Sequence, residues 1–163
     1  MEFRVAFQII KINDMKMLNN IIKDIKKAKK SEEVTHVKAA TTDWTFLFKK
    51  NSIKKFLSKY LKDYHIYEIW GNMYKKGDYA VNHNHIPLFP DARYFNVSGV
   101  LFLTDTKTPL NFTDFLKKYV GKKGDLLLFK PDTMHSVDSV LDNERITLSF
   151  NGRRKEDYEK EEN

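Results

Sequence analysis

From Tyr64 onward the chain breaks into short β-forming runs, at 66–74, 99–104, 110–112, 125–129 and 146–150, punctuated by Gly, Pro, Asp and Asn. Short strands at such spacing fold as a β-sandwich or barrel, because each sheet has one face that another layer must cover. The last run shows how its two faces divide. Side chains alternate sides along a strand, so Ile146, Leu148 and Phe150 take one face and Arg145, Thr147 and Ser149 the other. An Arg and hydroxyls turned into an apolar barrel are costly unless they meet an anion. The planar guanidinium suits two-point capture of a carboxylate. On a strand whose polar face meets solvent, the same pattern needs no ligand.

The first part of the chain reads differently. Residues 3–12 alternate Phe3, Val5, Phe7 and Ile9 against Arg4, Gln8 and Lys11, the period of a half-buried strand. Leu18, Ile21, Ile22 and Ile25 then recur at three and four residues with Lys23, Lys26 and Lys27 opposite, which predicts an amphipathic helix ending near Lys30. A second helix, capped by Asn51 or Ser52, carries the stripe Ile53, Phe56, Leu57, Tyr60 and Leu61. The expectation is a mostly β fold with N-terminal helices buttressing one sheet. No repeat or long linker divides the chain. We expect one domain over 1–151, with 1–65 as support, 66–151 as core, and a charged, frayed or weakly helical tail over 152–163.

Composition removes whole classes of chemistry. There is no cysteine, which excludes disulfide scaffolds, thiol nucleophiles and Cys-ligated zinc or iron–sulfur sites. No run approaches the roughly 18 apolar residues of a membrane span, and the polar interruptions in 1–8 do not suit a signal peptide. An intracellular, cytoplasmic protein without a membrane partner is expected. Lys+Arg of 29 against Asp+Glu of 22 gives a net charge of +7, much of it lysine before residue 65. That charge could suit nucleic acid or acidic partners, but the preferred reading is the ordinary solvated faces of surface helices.

Of the five histidines, three fall in informative places. His83 and His85 sit two apart, so an extended segment points both rings to one face. His135 follows a strand-like run and a turn. A His-x-His pair with one distant His is a plausible facial metal triad on a barrel, leaving open positions for substrate and oxygen. His36 and His65 have no partner at ligand spacing and are expected at the surface, and Trp70 in the core or at the barrel rim. The long segment 86–97, with Pro87, Pro90, Arg93, Tyr94 and Phe95, is a reasonable lid or substrate contact beside an open site, and equally a packing loop.

The ordered stretches Trp70-Gly71-Asn72-Met73-Tyr74, His83-Asn84-His85, Ser98-Gly99-Val100-Leu101-Phe102-Leu103, Leu110-Asn111-Phe112, Gly124-Asp125-Leu126-Leu127-Leu128-Phe129, His135-Ser136-Val137 and Arg145-Ile146-Thr147-Leu148-Ser149-Phe150-Asn151 resemble the Fe(II)/2-oxoglutarate-dependent oxygenase superfamily. The likeness is greatest to small phage and marine-bacterial members with a His-x-His motif and a prolyl-hydroxylase-like core. It covers 66–151; residues 1–65 carry no recognised motif. The resemblance implies a double-stranded β-helix, or jelly roll, with His83, His85 and His135 on Fe(II). Arg145, assisted by Thr147 and Tyr74, would bind 2-oxoglutarate; beside such a site, Arg93 and Tyr94 of the 86–97 loop would be the substrate contacts. It implies hydroxylation of a C–H bond with release of succinate and CO2, stimulated by ascorbate, in a host cytoplasm if the chain is viral. The substrate stays open among a peptidyl prolyl or other protein side chain, a nucleobase and a small metabolite.

One departure matters. Most of the superfamily has Asp or Glu where this chain has His85, which removes an oxygen donor and leaves the metal site one charge more positive. Two alternatives therefore stand beside the oxygenase. One is a cupin-like three-His iron dioxygenase acting on a small molecule without 2-oxoglutarate. The other is a non-enzymatic jelly-roll binding protein using its Lys-rich helices.

Overall fold

A computed structural model describes residues 6–34, 36–46, 49–86 and 95–159. The elements in chain order are β1 (Gln8–Lys11), α1 (Met15–Lys27), β2 (Lys30–Val34), β3 (Val37–Thr42), α2 (Asn51–Tyr60), β4 (Tyr64–Lys75), β5 (Tyr79–His83), β6 (Val97–Phe102) and β7 (Leu110–Phe112). A 3-10 turn (Thr113–Phe115) leads to β8 (Lys117–Tyr119), β9 (Asp125–Phe129), β10 (His135–Val137), β11 (Glu144–Arg154) and α3 (Lys155–Glu159). The strands form one curled antiparallel sheet in the order β1-β9-β6-β11-β4-β3-β5-β10-β7-β8, with β2 added beside β3. This is the jelly-roll architecture expected of the sequence.

The alternation in β11 decides the layering. Ile146, Leu148 and Phe150 are fully buried on the outer face, in one cluster with Leu18, Ile21 and Ile25 of α1 and Ile53, Phe56 and Leu57 of α2. Each such side chain contributes about 1.5–3 kcal/mol on leaving water. A second cluster, with Val100, Phe102, Phe112, Leu127 and Phe129, fills the inside of the curl. Helices outside and aromatics inside hold the sheet between two apolar layers.

Local chemistry sets the helix ends. The Asp14 carboxylate accepts from the Met17 N–H at 3.0 Å and starts α1. The Lys30 ammonium donates to the carbonyls of Ile25, Lys26 and Ala28 and closes its other end. The cap expected for α2 is not made. Asn51 is already inside the helix, and Lys50 stands at the cap position without a side-chain capping hydrogen bond, its ammonium reaching Asp24 on α1 instead.

The hairpin β2–β3 is not foreseen from the sequence, because Lys30-Ser31-Glu32-Glu33-Val34 lacks an apolar face. Its place in the sheet explains why it forms. β3 pairs with β4 through Ala40 and Thr41 and with β5 through Val37 and Lys38, so it carries the sheet around the curl. The first strand is four residues within the expected 3–12; positions 1–5 lie outside the described residues. The tail expected from 152 is not frayed at its start: residues 152–154 continue β11 by pairing with β4, and only then does the short helix α3 follow. No helix among the described residues is long and apolar enough to cross a membrane.

Gly99 on β6 lies flat against the Phe150 ring, so a Cβ there would collide with it. Gly99→Ala should therefore cost about 1–3 kcal/mol of stability by overpacking, read as a lower urea midpoint. Adding Phe150→Leu should return part of that loss, and an unchanged midpoint in the single variant would show that the contact is not tight.

Candidate metal centre

β5 ends at His83 and β10 begins at His135, and these two residues are direct cross-strand partners. His85 lies two residues beyond β5, where its N–H donates to the Pro131 carbonyl at 2.7 Å and pins the loop. The ring centroids are 4.3 Å apart for His83–His135, 4.8 Å for His85–His135 and 5.5 Å for His83–His85. One nitrogen from each ring lies within 4.8 Å of the other two. The pair and the distant His of the sequence thus converge.

Each ring has its Nδ1 occupied. His83 Nδ1 donates to the Val81 carbonyl at 2.7 Å, and His135 Nδ1 to the Thr133 carbonyl at 2.8 Å. Since a carbonyl can only accept, the proton sits on Nδ1 and Nε2 presents its lone pair. His85 Nδ1 faces Asn151 Oδ1 at 2.9 Å and Ser98 Oγ at 3.0 Å. Burial pushes all three imidazoles below their ordinary range, with further lowering of His85 by His83 and of His135 by His85 and His83. His85 falls to about 4. Three neutral imidazoles with free Nε2 atoms are what a divalent transition metal requires. The donor set fits Fe(II).

Behind the histidines, the inner face of β11 is a polar row facing β4. Arg145 pairs with Tyr74, Thr147 with Asn72, Ser149 with Trp70 and Asn151 with Glu68. Asn72 donates to Thr147 Oγ1 at 3.3 Å and Ser149 Oγ at 3.1 Å, and accepts from Thr41 Oγ1 at 3.2 Å. Arg145 is 2% exposed, with its guanidinium carbon 4.8 Å from the centre of the Tyr74 ring and 5.4 Å from that of Phe102. Its Nε has no hydrogen-bond partner, and it forms no ion pair with any acid among the described residues. Burial lowers its pKa, and the Tyr74 hydroxyl beside it works the other way. Asp142 also favours the charged form, although no acid among the described residues forms an ion pair with it. A buried cation is costly unless it is paired.

One pocket is lined by His83, His85, His135, Tyr74, Thr147 and Arg145 together. All six are the residues expected there from the sequence. Arg93 and Tyr94 lie outside the described residues. His36 and His65 are exposed, as expected, although His36 also stacks on His83 at 5.6 Å. Trp70 is half-buried and edge-on to His85 at 5.8 Å. The sequence alone assigns no role to Asn72, Ser98, Asn151 or Glu68. The signal for Asn72 and Asn151 was their strand parity with Tyr74 and Arg145.

No family model matches the chain, and no curated protein matches its sequence. Solved structures do match its fold. The viral collagen prolyl hydroxylase of Paramecium Bursaria Chlorella virus-1, in its 2-oxoglutarate complex, is 16% identical with a TM-score of 0.61, covering 93% of this chain and 97% of that one. HygX from Streptomyces hygroscopicus, with nickel and 2-oxoglutarate bound, is 13% identical with a TM-score of 0.69, covering 92% and 83%. The non-heme α-ketoglutarate-dependent epimerase SnoN of nogalamycin biosynthesis is 9% identical with a TM-score of 0.72, covering 93% and 78%. The chain therefore has the 2-oxoglutarate/Fe(II) oxygenase fold with a histidine triad at its centre.

The lowered histidine pKa values set a pH dependence. Unfolded histidine titrates near 6.5, and the folded rings titrate lower. Between those values the unfolded chain binds protons that the folded chain refuses, so the metal-free protein loses stability as pH falls from about 6.5. One such group contributes a slope of at most about 1.4 kcal/mol per pH unit. His85→Gln should flatten the fall in urea midpoint between about pH 6.5 and about pH 4.5 with a chelator present. Parallel curves would show that His85 titrates normally.

Proposed function

We propose that the protein is an Fe(II)- and 2-oxoglutarate-dependent oxygenase that hydroxylates a C–H bond. The observation that carries this is the buried guanidinium of Arg145, with no ion pair among the described residues and its Nε unsatisfied, in the same pocket as His83, His85 and His135. The three Nε2 atoms hold the metal. Arg145 takes the far carboxylate of 2-oxoglutarate through a two-point fork, with Tyr74 and Thr147 beside it and Phe102 beneath. Asn72 keeps the Thr147 and Ser149 hydroxyls oriented along the floor. Val100, Leu110 and Val137 supply apolar wall that keeps water from the carbon chain of the cosubstrate. When bound, the iron supplies oxygen chemistry coupled to conversion of 2-oxoglutarate to succinate and CO2.

A three-His dioxygenase without an oxoacid cosubstrate would leave Arg145 uncompensated, which weighs against that reading. A binding role for the lysines of α1 and α2 concerns the opposite side of the sheet, where those helices pack on the outer-face cluster. Prolyl and other protein side chains, nucleobases and small metabolites stay in play as substrates. The matched structures include both a prolyl hydroxylase and an epimerase, so the fold does not choose among them. Ascorbate has no support from the site or from the matched structures.

Arg145→Leu tests the reading. A charge-assisted hydrogen bond contributes about 1.5–3 kcal/mol net, and about 1.4 kcal/mol is a decade of affinity. The variant should bind 2-oxoglutarate at least about tenfold more weakly while keeping its iron affinity. Arg145→Lys should recover part of the loss, since an ammonium lacks the fork. The measurement is an anaerobic titration of the Fe(II)-loaded protein, followed by its metal-to-ligand charge-transfer band, with succinate release as the turnover check. Unchanged 2-oxoglutarate affinity in the Leu variant would move the assignment to the three-His dioxygenase.

A further inference from the structure

His85 occupies the position where a carboxylate would serve as the third ligand, and its surroundings show whether histidine is tolerated there or specified. Glu68, Asn151 and Ser98 are consecutive cross-strand partners on β4, β11 and β6. They therefore stand side by side on the inner face. Asn151 Nδ2 donates to Glu68 Oε2 at 3.0 Å, Ser98 Oγ donates to Asn151 Oδ1 at 2.6 Å, and His85 Nδ1 lies 2.9 Å from the same Oδ1. Ser98 and Asn151 are buried, at 0% and 4% exposed.

The direction of this row is fixed at its outer end. A carboxylate only accepts, so Glu68 draws the amide nitrogen of Asn151 toward itself and turns Oδ1 toward Ser98 and His85. An amide oxygen also only accepts, so whatever faces it must bring a proton. Ser98 brings its hydroxyl hydrogen, and His85 must bring Nδ1–H. That leaves the lone pair on Nε2, toward His83 and His135.

We propose that Glu68, Asn151 and Ser98 form a relay that holds His85 in its Nδ1–H tautomer, making Nε2 the third metal ligand and specifying histidine over a carboxylate at this position. The three are positioning residues that act through His85, and the proposal rests on the metal-binding part of the oxygenase reading. It predicts a conflict for the commoner ligand. In His85→Asp the carboxylate would place an acceptor against Asn151 Oδ1. Flipping the Asn151 amide would relieve that contact only by setting Oδ1 against Glu68. Glu68→Gln removes the conflict, because a glutamine amide can donate to the flipped Oδ1.

Two measurements on the 163-residue chain test this. The first uses 15N-labelled, metal-free protein at neutral pH, with long-range 1H–15N correlations reporting ring tautomers. His85 should be Nδ1–H in the unmutated chain and lose that bias in Asn151→Leu. The second is Co(II) affinity by chelator competition, without 2-oxoglutarate or oxygen. Asn151→Leu should weaken it about 10- to 100-fold, the usual cost of losing such a partner. Glu68→Gln should weaken Co(II) binding when residue 85 is His and strengthen it, by at least about threefold, when residue 85 is Asp. A merely structural role for Glu68 would not change sign.

His85→Asp binding Co(II) as tightly as the unmutated chain, or Glu68→Gln acting in the same direction in both backgrounds, would overturn the proposal. Normal Co(II) binding with an unbiased His85 tautomer would remove the relay alone. Failure of the unmutated chain to bind Co(II) would remove the oxygenase reading and the ligand role of His85 with it. Co(II) binding with the expected tautomer but no succinate release from the Fe(II)-loaded protein would remove the oxygenase reading and leave the relay standing.

Discussion

The register of β11 between β4 and β6 is the constraint on which the rest depends. Antiparallel pairing puts opposed residues on one face, so each inner-face residue of β11 draws a partner from β4, and those from Thr147 to Asn151 draw one from β6 as well. Thr147 stands between Asn72 and Phe102, Ser149 between Trp70 and Val100, and Asn151 between Glu68 and Ser98. A slip of one residue would turn Arg145 into the layer beneath α1 and α2 and bring Ile146 into the pocket. The opposition between a buried cation and fully buried aliphatics penalises that slip on both faces at once. The same alternation therefore secures the helix packing and aims the pocket floor.

That constraint also explains what could be read from the chain. The two faces of β11 were legible because period-two alternation is local: a run of six residues suffices to separate Arg145, Thr147 and Ser149 from Ile146, Leu148 and Phe150. His83 and His85 were legible as a pair for the same reason. Their union with His135 depends on β5 pairing with β10 across a long stretch of sequence, and there only the order of motifs gave a guide. The relay at His85 was out of reach. Glu68, Asn151 and Ser98 each look like ordinary strand positions, and they acquire a joint meaning only when three strands are set in register. The β2–β3 hairpin was missed for a different reason: with a largely polar sequence, it is held by pairing to its neighbours and not by an apolar stripe.

The electrostatics of the pocket follow from the same layout. Its charged group is the Arg145 guanidinium on the floor, while the histidines are kept neutral by burial and by one another. Introducing a divalent metal adds positive charge to a site with no carboxylate ligand. A dianion whose two ends reach the metal and Arg145 offsets both charges in one step, whereas a neutral ligand offsets neither. On the proposed reading, this asymmetry would favour a dicarboxylate even with His85 as the third ligand.

Similarity of fold at 9–16% identity to the three compared structures is consistent with that division of labour. The outer face asks only for aliphatic volume at alternate positions, which many residues supply with repacking. The inner face asks for particular donors and acceptors at particular crossings of the sheet. Chemistry can then change through a few inner positions while the layers stay intact. Replacing an anionic ligand by imidazole is such a change. It is stable only if a neighbour supplies the acceptor that Nδ1–H requires, since an unpaired buried donor costs about 1–3 kcal/mol. In this chain Asn151 lies against His85 Nδ1 from the strand that also carries Arg145, so the proposed metal ligand and the proposed anion clamp are tied to one register.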